Sequence, residues 1–305
     1  MRNRRGTSHA GLPGERVAGP LMAAPAVLGL VLFAAAPFCL AVVFSMTNLR
    51  LGSPLPTRFV GLQQYGRVLG DPSFQRALLN NGLFAVVVVP VQTALALVLA
   101  LVLNQQLRGM VVFRTLFFMP VVFPMALVAV VWQLIYAPGP DGPLNVLLDL
   151  VSFGAIGPQD FLHDSVLALP AIMLMSIWQG VGFQMIVLLA GLQAIPETLY
   201  EAARMDRAGR WSQLWHVTLP QLRNPLILTA LVTTILAFRL FDQVQIMTRG
   251  GPVNATTTVM FEAVRTVFER QQVAQASAMT VIFFAMVLVV TLVQRVLIRQ
   301  ERVVE

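Results

Sequence analysis

The sequence predicts an all-α, polytopic membrane protein with six transmembrane helices, and three observations lead to this fold class. Hydrophobic residues make up 57% of the chain and charged residues only 11%, whereas about a quarter of the residues in a soluble domain are charged. The apolar residues are gathered into six stretches, each near the ~20 residues that cross a bilayer as a helix. Basic residues lie mainly between these stretches and are distributed unevenly.

The six apolar stretches define one membrane domain, expected over residues 20–298. A polar, basic tail of residues 1–19 precedes it, and a short tail of residues 299–305 follows it. Proline and glycine inside several stretches are tolerated where neighbouring helices satisfy the freed backbone groups. The predicted spans are 20–46, 78–103, 113–135, 166–192, 226–247 and 276–298.

Arginine placement predicts the orientation, because cytoplasmic loops of membrane proteins carry an excess of basic residues. With the N-terminus inside, 13 arginines fall in inner segments and 7 in outer segments, and Arg239 lies within a span. The outer loop 136–165 has four aspartates and no arginine. We therefore expect both termini, and the polar loop 197–225, to lie in the cytoplasm.

Several kinds of chemistry are excluded by residues that the chain lacks. All 21 basic residues are arginine, so no lysine is present for a nucleotide-binding P-loop or a Schiff base. Cys39 is the only cysteine and the three histidines are scattered, which argues against a metal site. The arginines form no single patch for nucleic acid. We expect a non-catalytic chain that binds no cofactor or metal itself.

The polar stretch EAARMDRAGRWSQLWHVTLP, residues 201–220, is predicted to form a short helix, a turn and a second short helix. Pro196 and Glu197 suit the start of the first helix, since proline fits its first turn and an acid fits its positive end. Gly209 is expected to break the helix, and the second helix is expected to end before Pro220. A helix lying on the membrane surface is one interpretation of this stretch.

The same stretch resembles the EAA loop in the permease subunits of binding-protein-dependent ABC importers. That loop has the pattern E-A-A-x-x-x-G, followed further on by an aliphatic residue and L-P. Arg207 stands where the family usually has glycine, and Gly209 is expected to take over the turn. In the family this helix docks into a groove on the ATPase subunit. The resemblance implies that the docking contact is made by Glu201, Ala202, Ala203, Asp206, Arg207, Ala208 and Gly209.

Other stretches extend the resemblance over residues 20–300 and narrow it to the carbohydrate-uptake branch, of the maltose or glycerol-3-phosphate permease type. These are FVGLQQYGRVLG, RGMVVFRTLFFMP and FRLFDQVQIMTRGGPVNATTT. The resemblance implies import of a sugar, oligosaccharide or polyol across the bacterial inner membrane. It also implies a heterodimeric second permease, two ATPase subunits holding ATP and Mg, and an extracytoplasmic binding protein.

Two alternatives stay open at this point. The same architecture can import glycerol 3-phosphate or another non-sugar solute. An ion-coupled secondary transporter is the alternative of another class, and it would be expected to carry acidic residues at mid-membrane depth. Asp242 is the only acid within a predicted span, which disfavours that alternative.

Polar groups at membrane depth point to a solute path, because they are costly elsewhere. Ser176, Gln179 and Gly180 share one face of the fourth span, although small residues and glutamine also mediate helix packing. The resemblance to maltose permeases implies solute contacts at Val121, Met125, Ser176, Gln179, Gly180, Phe183, Thr233, Ala237 and Leu240.

Arg239 and Asp242 are the most prominent charges within a span. Their i, i+3 spacing on one helix would allow an ion pair. A structural ion pair is one interpretation, and contact with an anionic solute or an outer gate is the other. The turn Gly250-Gly251-Pro252 follows, and it is interpreted either as simple loop chemistry or as a contact for the binding protein.

Overall fold

The computed structural model describes residues 15–105 and 109–297, which are mostly helical. No β-strand occurs in these ranges, apart from an isolated bridge between Thr47 and Phe59. Within them, four helices are long and apolar enough to cross a membrane, and two bent pairs raise the number to six if each pair counts as one span. The all-α membrane architecture is therefore confirmed, while the number six depends on the bent pairs.

The first span lies in a continuous helical rod, and this rod begins before residue 20. It consists of α1 (Glu15–Leu30), a π-helical turn (Val31–Ala35) and α2 (Ala36–Ser45). The helix therefore extends five residues into the predicted tail, while its candidate membrane span, Met22–Ser45, lies within the predicted span 20–46. The remaining tail residues, 1–14 and 299–305, lie outside the described part of the chain.

The second span is the longest helix and is well defined at its start. A short helix, α3 (Gln63–Leu69), leads into α4 (Pro72–Leu103). The Asp71 side chain accepts a hydrogen bond from the Ser73 backbone N–H at 2.8 Å, and Pro72 follows it in the first turn. Both features favour a helix start, and they place it six residues before the predicted position 78.

The third span, predicted as one helix over 113–135, is broken. It consists of α5 (Met110–Val122) and α6 (Met125–Ile135), whose axes differ by 101°. Phe123 is extended, with φ −78° and ψ 140°, because a residue before proline is driven out of the helical region, and Pro124 follows it. The single-helix prediction missed this break.

The fourth span forms the centre of the fold. After a helix in the connecting loop, α7 (Pro143–Ser152), the chain enters α8 (Ala168–Gln193). Two-thirds of its most apolar window is buried, and α8 packs mainly against α4 and α5. Gly182 and Gly191 allow close packing of α8, since a Cβ at either position would overlap neighbouring atoms.

The polar loop forms two helical segments. The first is α9 (Glu197–Met205). The second runs through α10 (Arg210–Gln213), a π-helical turn (Leu214–Thr218) and α11 (Leu219–Gln221). The prediction that it ends before Pro220 is wrong. A π turn precedes this proline and shifts the backbone hydrogen-bond register, so the missing N–H is accommodated.

The fifth span, predicted over 226–247, is also interrupted. It consists of α12 (Arg223–Phe238), at 65° to the preceding segment, and α13 (Asp242–Met247). The residues between them are not helical. A helix outside the spans, α14 (Val259–Phe268), and the last span, α15 (Val273–Leu297), complete the described part of the chain. The last span packs against α2 and α14, with the rings of Phe38 and Phe284 4.4 Å apart.

Candidate functional site

A cavity of about 360 Å³ lies where α8 faces both interrupted spans and α4. Val121 and Met125 flank the α5–α6 break, and Leu240 and Asp242 lie at the α12–α13 break. Non-helical backbone at membrane depth is tolerated where it lines a cavity. The α12–α13 break lines this one through Leu240, and the α5–α6 break adjoins it. The lining residues are Phe84, Val88, Gln92, Val121, Met125, Ser176, Gln179, Gly180, Thr233, Leu236, Ala237, Arg239, Leu240, Asp242 and Gln243.

The structure brings eight of the nine sequence-predicted solute residues to this one cavity; Phe183 is the exception. Phe183 shares the helix face of Ser176 and Gly180 but lies further along the axis, and its side chain is 40% exposed. At that level Gly182 lies against the backbone of Phe117. Phe183 therefore does not line this cavity in the described chain, and its contact with solute stays a prediction.

Two amide side chains give the cavity its hydrogen-bonding capacity. Among the described residues, neither Gln92 of α4 nor Gln179 of α8 has a side-chain hydrogen bond, although Gln92 is only 6% exposed. Gly180 makes room for Gln92, because a methyl group there would overlap the Gln92 amide. Each amide supplies both a donor and an acceptor, so together they can bind ligand hydroxyl groups.

The hydroxyl groups of the cavity are already engaged with the protein. Ser176 donates to the backbone oxygen of Ile172 at 2.8 Å, and Thr233 donates to that of Thr229 at 2.8 Å. Thr233 also accepts a hydrogen bond from the buried amide of Gln184. These side chains shape the wall, and their hydroxyl oxygens retain only acceptor capacity for a ligand.

The anticipated ion pair between Arg239 and Asp242 is not formed within the described part of the chain. No contact within 4 Å joins their charged groups there, and both residues are exposed in the isolated chain. The physical reason is the break, because α12 ends at Phe238 and α13 starts at Asp242. The i, i+3 rule applies to a continuous helix, so it does not bring these two groups together. Both nevertheless line the cavity.

Sequence reasoning missed five lining residues: Phe84, Val88, Gln92, Leu236 and Gln243. The first three recur every fourth residue and so share one face of α4. Gln92 carried a detectable signal, because it is an isolated amide in a long apolar run and such residues tend to be functional. The apolar residues carried none, since nothing in composition separates a cavity wall from a packed interface.

The first helix of the polar loop, α9, lies at the surface of the chain. None of the residues of α9 is buried, and Glu201 and Ala202 are exposed. The Tyr200 and Thr218 hydroxyls lie 3.0 Å apart, and Gln213 donates to the Ala208 oxygen at 2.8 Å, so the two segments are fastened together. The other predicted docking residues line a cleft of about 640 Å³ beside α9: Ala203, Asp206, Arg207, Ala208 and Gly209.

The turn after α9 is made by Arg207 and not by Gly209. Arg207 has φ +59°, and its N–H bonds to the Arg204 oxygen at 3.0 Å, while the Ala208 N–H bonds to the Ala203 oxygen at 2.9 Å. This pair of hydrogen bonds is the Schellman motif, which places a left-handed residue just after the helix. Gly209 is extended, at φ −68° and ψ 167°, and begins α10. The expectation that Gly209 takes over the turn is therefore wrong.

Comparison with known proteins identifies relatives over most of the chain. Residues 92–303 match the sequence profile of the binding-protein-dependent transport system inner membrane component. The trehalose/maltose transport system permease protein MalF of Thermococcus litoralis is 35% identical over 235 residues, 77% of this chain and 78% of that protein. The sulfoquinovosyl glycerol transport system permease protein SmoG of Agrobacterium fabrum is 31% identical over 288 residues, 94% of this chain and 92% of that protein.

A solved structure shares the fold. A chain in the bacterial alginate ABC transporter, in complex with alginate pentasaccharide-bound periplasmic protein, superposes with a TM-score of 0.81 at 18% identity. The match covers 94% of this chain and 95% of that chain. The overall fold of this chain is therefore shared with that solved chain.

Proposed function

The chain belongs to the family of binding-protein-dependent transport system inner membrane components, and we propose that its cavity forms the solute path of an ABC importer for a sugar, oligosaccharide or polyol. The observation that carries the proposal is the convergence of eight sequence-predicted residues on one cavity with two free amides. At about 360 Å³ the cavity falls in the range of small-molecule sites.

The lining suits a carbohydrate chemically. A sugar has apolar faces and hydroxyl edges, so it needs an apolar wall and a few amides that can both donate and accept. Phe84, Met125 and Leu240 supply apolar surface, and Gln92 and Gln179 supply the amides. Such a site binds through positioned polar groups on a mainly apolar surface.

The energy for transport would come from other chains. In this proposal two ATPase subunits hold ATP and Mg, a second permease completes the path, and an extracytoplasmic binding protein delivers the solute. The exposed face of α9, with Glu201 and Ala202, would dock on an ATPase subunit from the cytoplasm. Closure of the ATPases would move α9 and, through its fastening to the second segment of the loop, shift α12. Both chain termini are cytoplasmic in this arrangement.

An anionic solute is the second candidate, and Arg239 is the observation that favours it. Arg239 lines the cavity and has no ion-pair partner among the described residues, and arginine binds phosphate or carboxylate in a bidentate manner. Asp242 lines the same cavity and would repel an anion. A neutral sugar is therefore the first proposed solute, and a polyol phosphate is the second.

Reconstituted transport tests the proposal. The chain, co-expressed with its partner subunits, is placed in proteoliposomes, and uptake of disaccharides, polyols and glycerol phosphate is measured with ATP inside and binding protein outside. Uptake should require both. Gln179→Ala should reduce uptake about tenfold, since losing a hydrogen bond made to the moving solute costs on the order of 1 kcal/mol or more.

A matched control is available on α13. Gln245 is an exposed glutamine that does not line the cavity, so Gln245→Ala should leave uptake unchanged. Uptake that follows an ion gradient and proceeds without ATP would refute the importer proposal in favour of a secondary transporter.

A further inference from the structure

The break between α12 and α13 leaves backbone groups that a continuous helix would have satisfied. The carbonyl oxygens of Phe238 and Leu240 belong to this break, and Leu240 lines the cavity. A carbonyl at membrane depth is costly unless another group donates a hydrogen bond to it. The positions of these two carbonyls are therefore held by whatever side chains supply the donors.

The donors come from two distant parts of the chain. The Thr258 hydroxyl donates to the Leu240 oxygen at 2.8 Å, and the Asn81 amide donates to the Phe238 oxygen at 3.5 Å. Asn81 and Thr258 are both 0% exposed. Neither lines the cavity, so neither contacts a solute placed in it.

Asn81 joins the break to the external segment as well. Its side-chain oxygen accepts the Val259 backbone N–H at 2.9 Å. The preceding Asn80 donates to the backbone oxygens of Thr257 at 2.8 Å and of Asn254 at 3.1 Å. Two consecutive side chains of α4 therefore hold the end of the external segment 250–258 against the break.

We propose that Asn81 and Thr258 are positioning residues of the solute cavity. They hold the break in the shape that keeps Arg239, Leu240 and Asp242 on the cavity wall, and they link that wall to the external segment 250–258. A displacement of the external segment would then move the cavity wall through two buried hydrogen bonds. This proposal rests on the proposed function, because it takes the cavity as the solute site.

A purely structural role makes a different prediction. Ordinary stabilising residues would lower the stability of the whole chain when replaced, without altering how well transport is coupled to ATP hydrolysis. If the two residues position the cavity wall, replacing them changes amide hydrogen exchange at the break. It also changes the number of solute molecules imported per ATP. The two readouts together separate these roles.

Thr258→Val is the sharpest variant, because it keeps the side-chain shape and removes the hydroxyl. In the assembled complex in nanodiscs, hydrogen exchange in peptides covering residues 236–245 should become about tenfold faster, as expected when a buried carbonyl loses its donor. In proteoliposomes the solute imported per ATP should fall severalfold. Thr258→Ser, which retains the hydroxyl, should restore both values.

Asn81→Leu provides an independent second variant. Thr258 also caps α14 by accepting the Phe261 N–H at 3.4 Å, and Asn81→Leu leaves that cap intact. It should reproduce both effects. Because it also removes the acceptor of the Val259 N–H, the effects are assigned to the break when exchange within residues 259–268 stays unchanged. If Asn81→Leu fails to assemble, the Thr258 pair of variants still decides the matter.

Asn145 offers a matched control. It is buried like Asn81 and donates to the Gly139 and Gln159 oxygens, each at 2.9 Å, in the external loop. Asn145→Leu should accelerate exchange only around that loop and leave the solute imported per ATP unchanged.

The proposal is overturned if Thr258→Val leaves exchange at 236–245 unchanged, or accelerates it without changing import per ATP. Absence of ATP-driven uptake in the wild-type complex would instead refute the proposed function, whereas the exchange measurement does not depend on uptake.

Discussion

Replacing Arg207 by glycine should stabilise the turn that follows α9. A residue other than glycine at φ +59° carries a steric cost of about 1.5 kcal/mol. Glycine avoids that cost but loses roughly 0.7 kcal/mol through the greater freedom of the unfolded chain. The difference predicts that Arg207→Gly stabilises this segment by about 1 kcal/mol.

Hydrogen exchange of the assembled complex measures this change locally. A gain of about 1 kcal/mol in local opening free energy slows exchange about fivefold in peptides covering residues 197–209. Arg207→Ala serves as the reference, because it removes the same long side chain and keeps the unfavourable φ. The comparison of glycine with alanine at position 207 therefore isolates the backbone term.

Gly209 provides the opposing control. Its backbone is extended, and a Cβ there would meet nothing within 4 Å, so Gly209→Ala should be neutral or stabilising by up to ~1 kcal/mol. If Gly209 made the turn, alanine would destabilise the segment and Arg207→Gly would bring no gain. That pattern of results would refute the assignment of the Schellman motif to Arg207.

Two further predictions concern packing and docking. Gly182→Ala should destabilise the chain by about 1–3 kcal/mol in thermal unfolding, because its Cβ would overlap the Phe117 backbone; Gly82→Ala, with nothing within 4 Å of its Cβ, should not. Glu201→Ala should lower co-purification of the ATPase subunits and uptake while leaving membrane insertion intact, since Glu201 is exposed on α9. The exposed Glu269→Ala should leave both unchanged, and normal transport by the Glu201 variant would contradict the docking assignment.

The membrane architecture and the family could both be predicted from the sequence alone. Long apolar runs identify spanning segments by composition alone, and the resemblance to importer permeases is confirmed by the profile match and the relatives at 31–35% identity. The apolar runs also continue through both interruptions. Hydropathy therefore predicted one helix where the structure has α5 and α6, and again where it has α12 and α13.

The two helix breaks have different causes, and only the α5–α6 break has a cause that is visible in the local sequence. Pro124 is a local signal, because it drives Phe123 out of the helical region, and it was available in the sequence. The break at Arg239 depends on Asn81 and Thr258. These residues are distant from it in the sequence and reach its carbonyl oxygens only in the folded structure. The same limit explains the anticipated ion pair of Arg239 with Asp242, which assumed a continuous helix. The Arg207 turn was missed because the Schellman motif depends on where α9 ends.

The first rod of the chain has a mechanical consequence. Its apolar window contains no buried residue, while its C-terminal half holds the ring of Phe38 against that of Phe284. Lipid is as apolar as a protein neighbour, so such a helix gains little free energy from preferring one over the other. The N-terminal half can therefore tilt about that aromatic contact and exchange lipid neighbours for protein neighbours, without opening the core around α8.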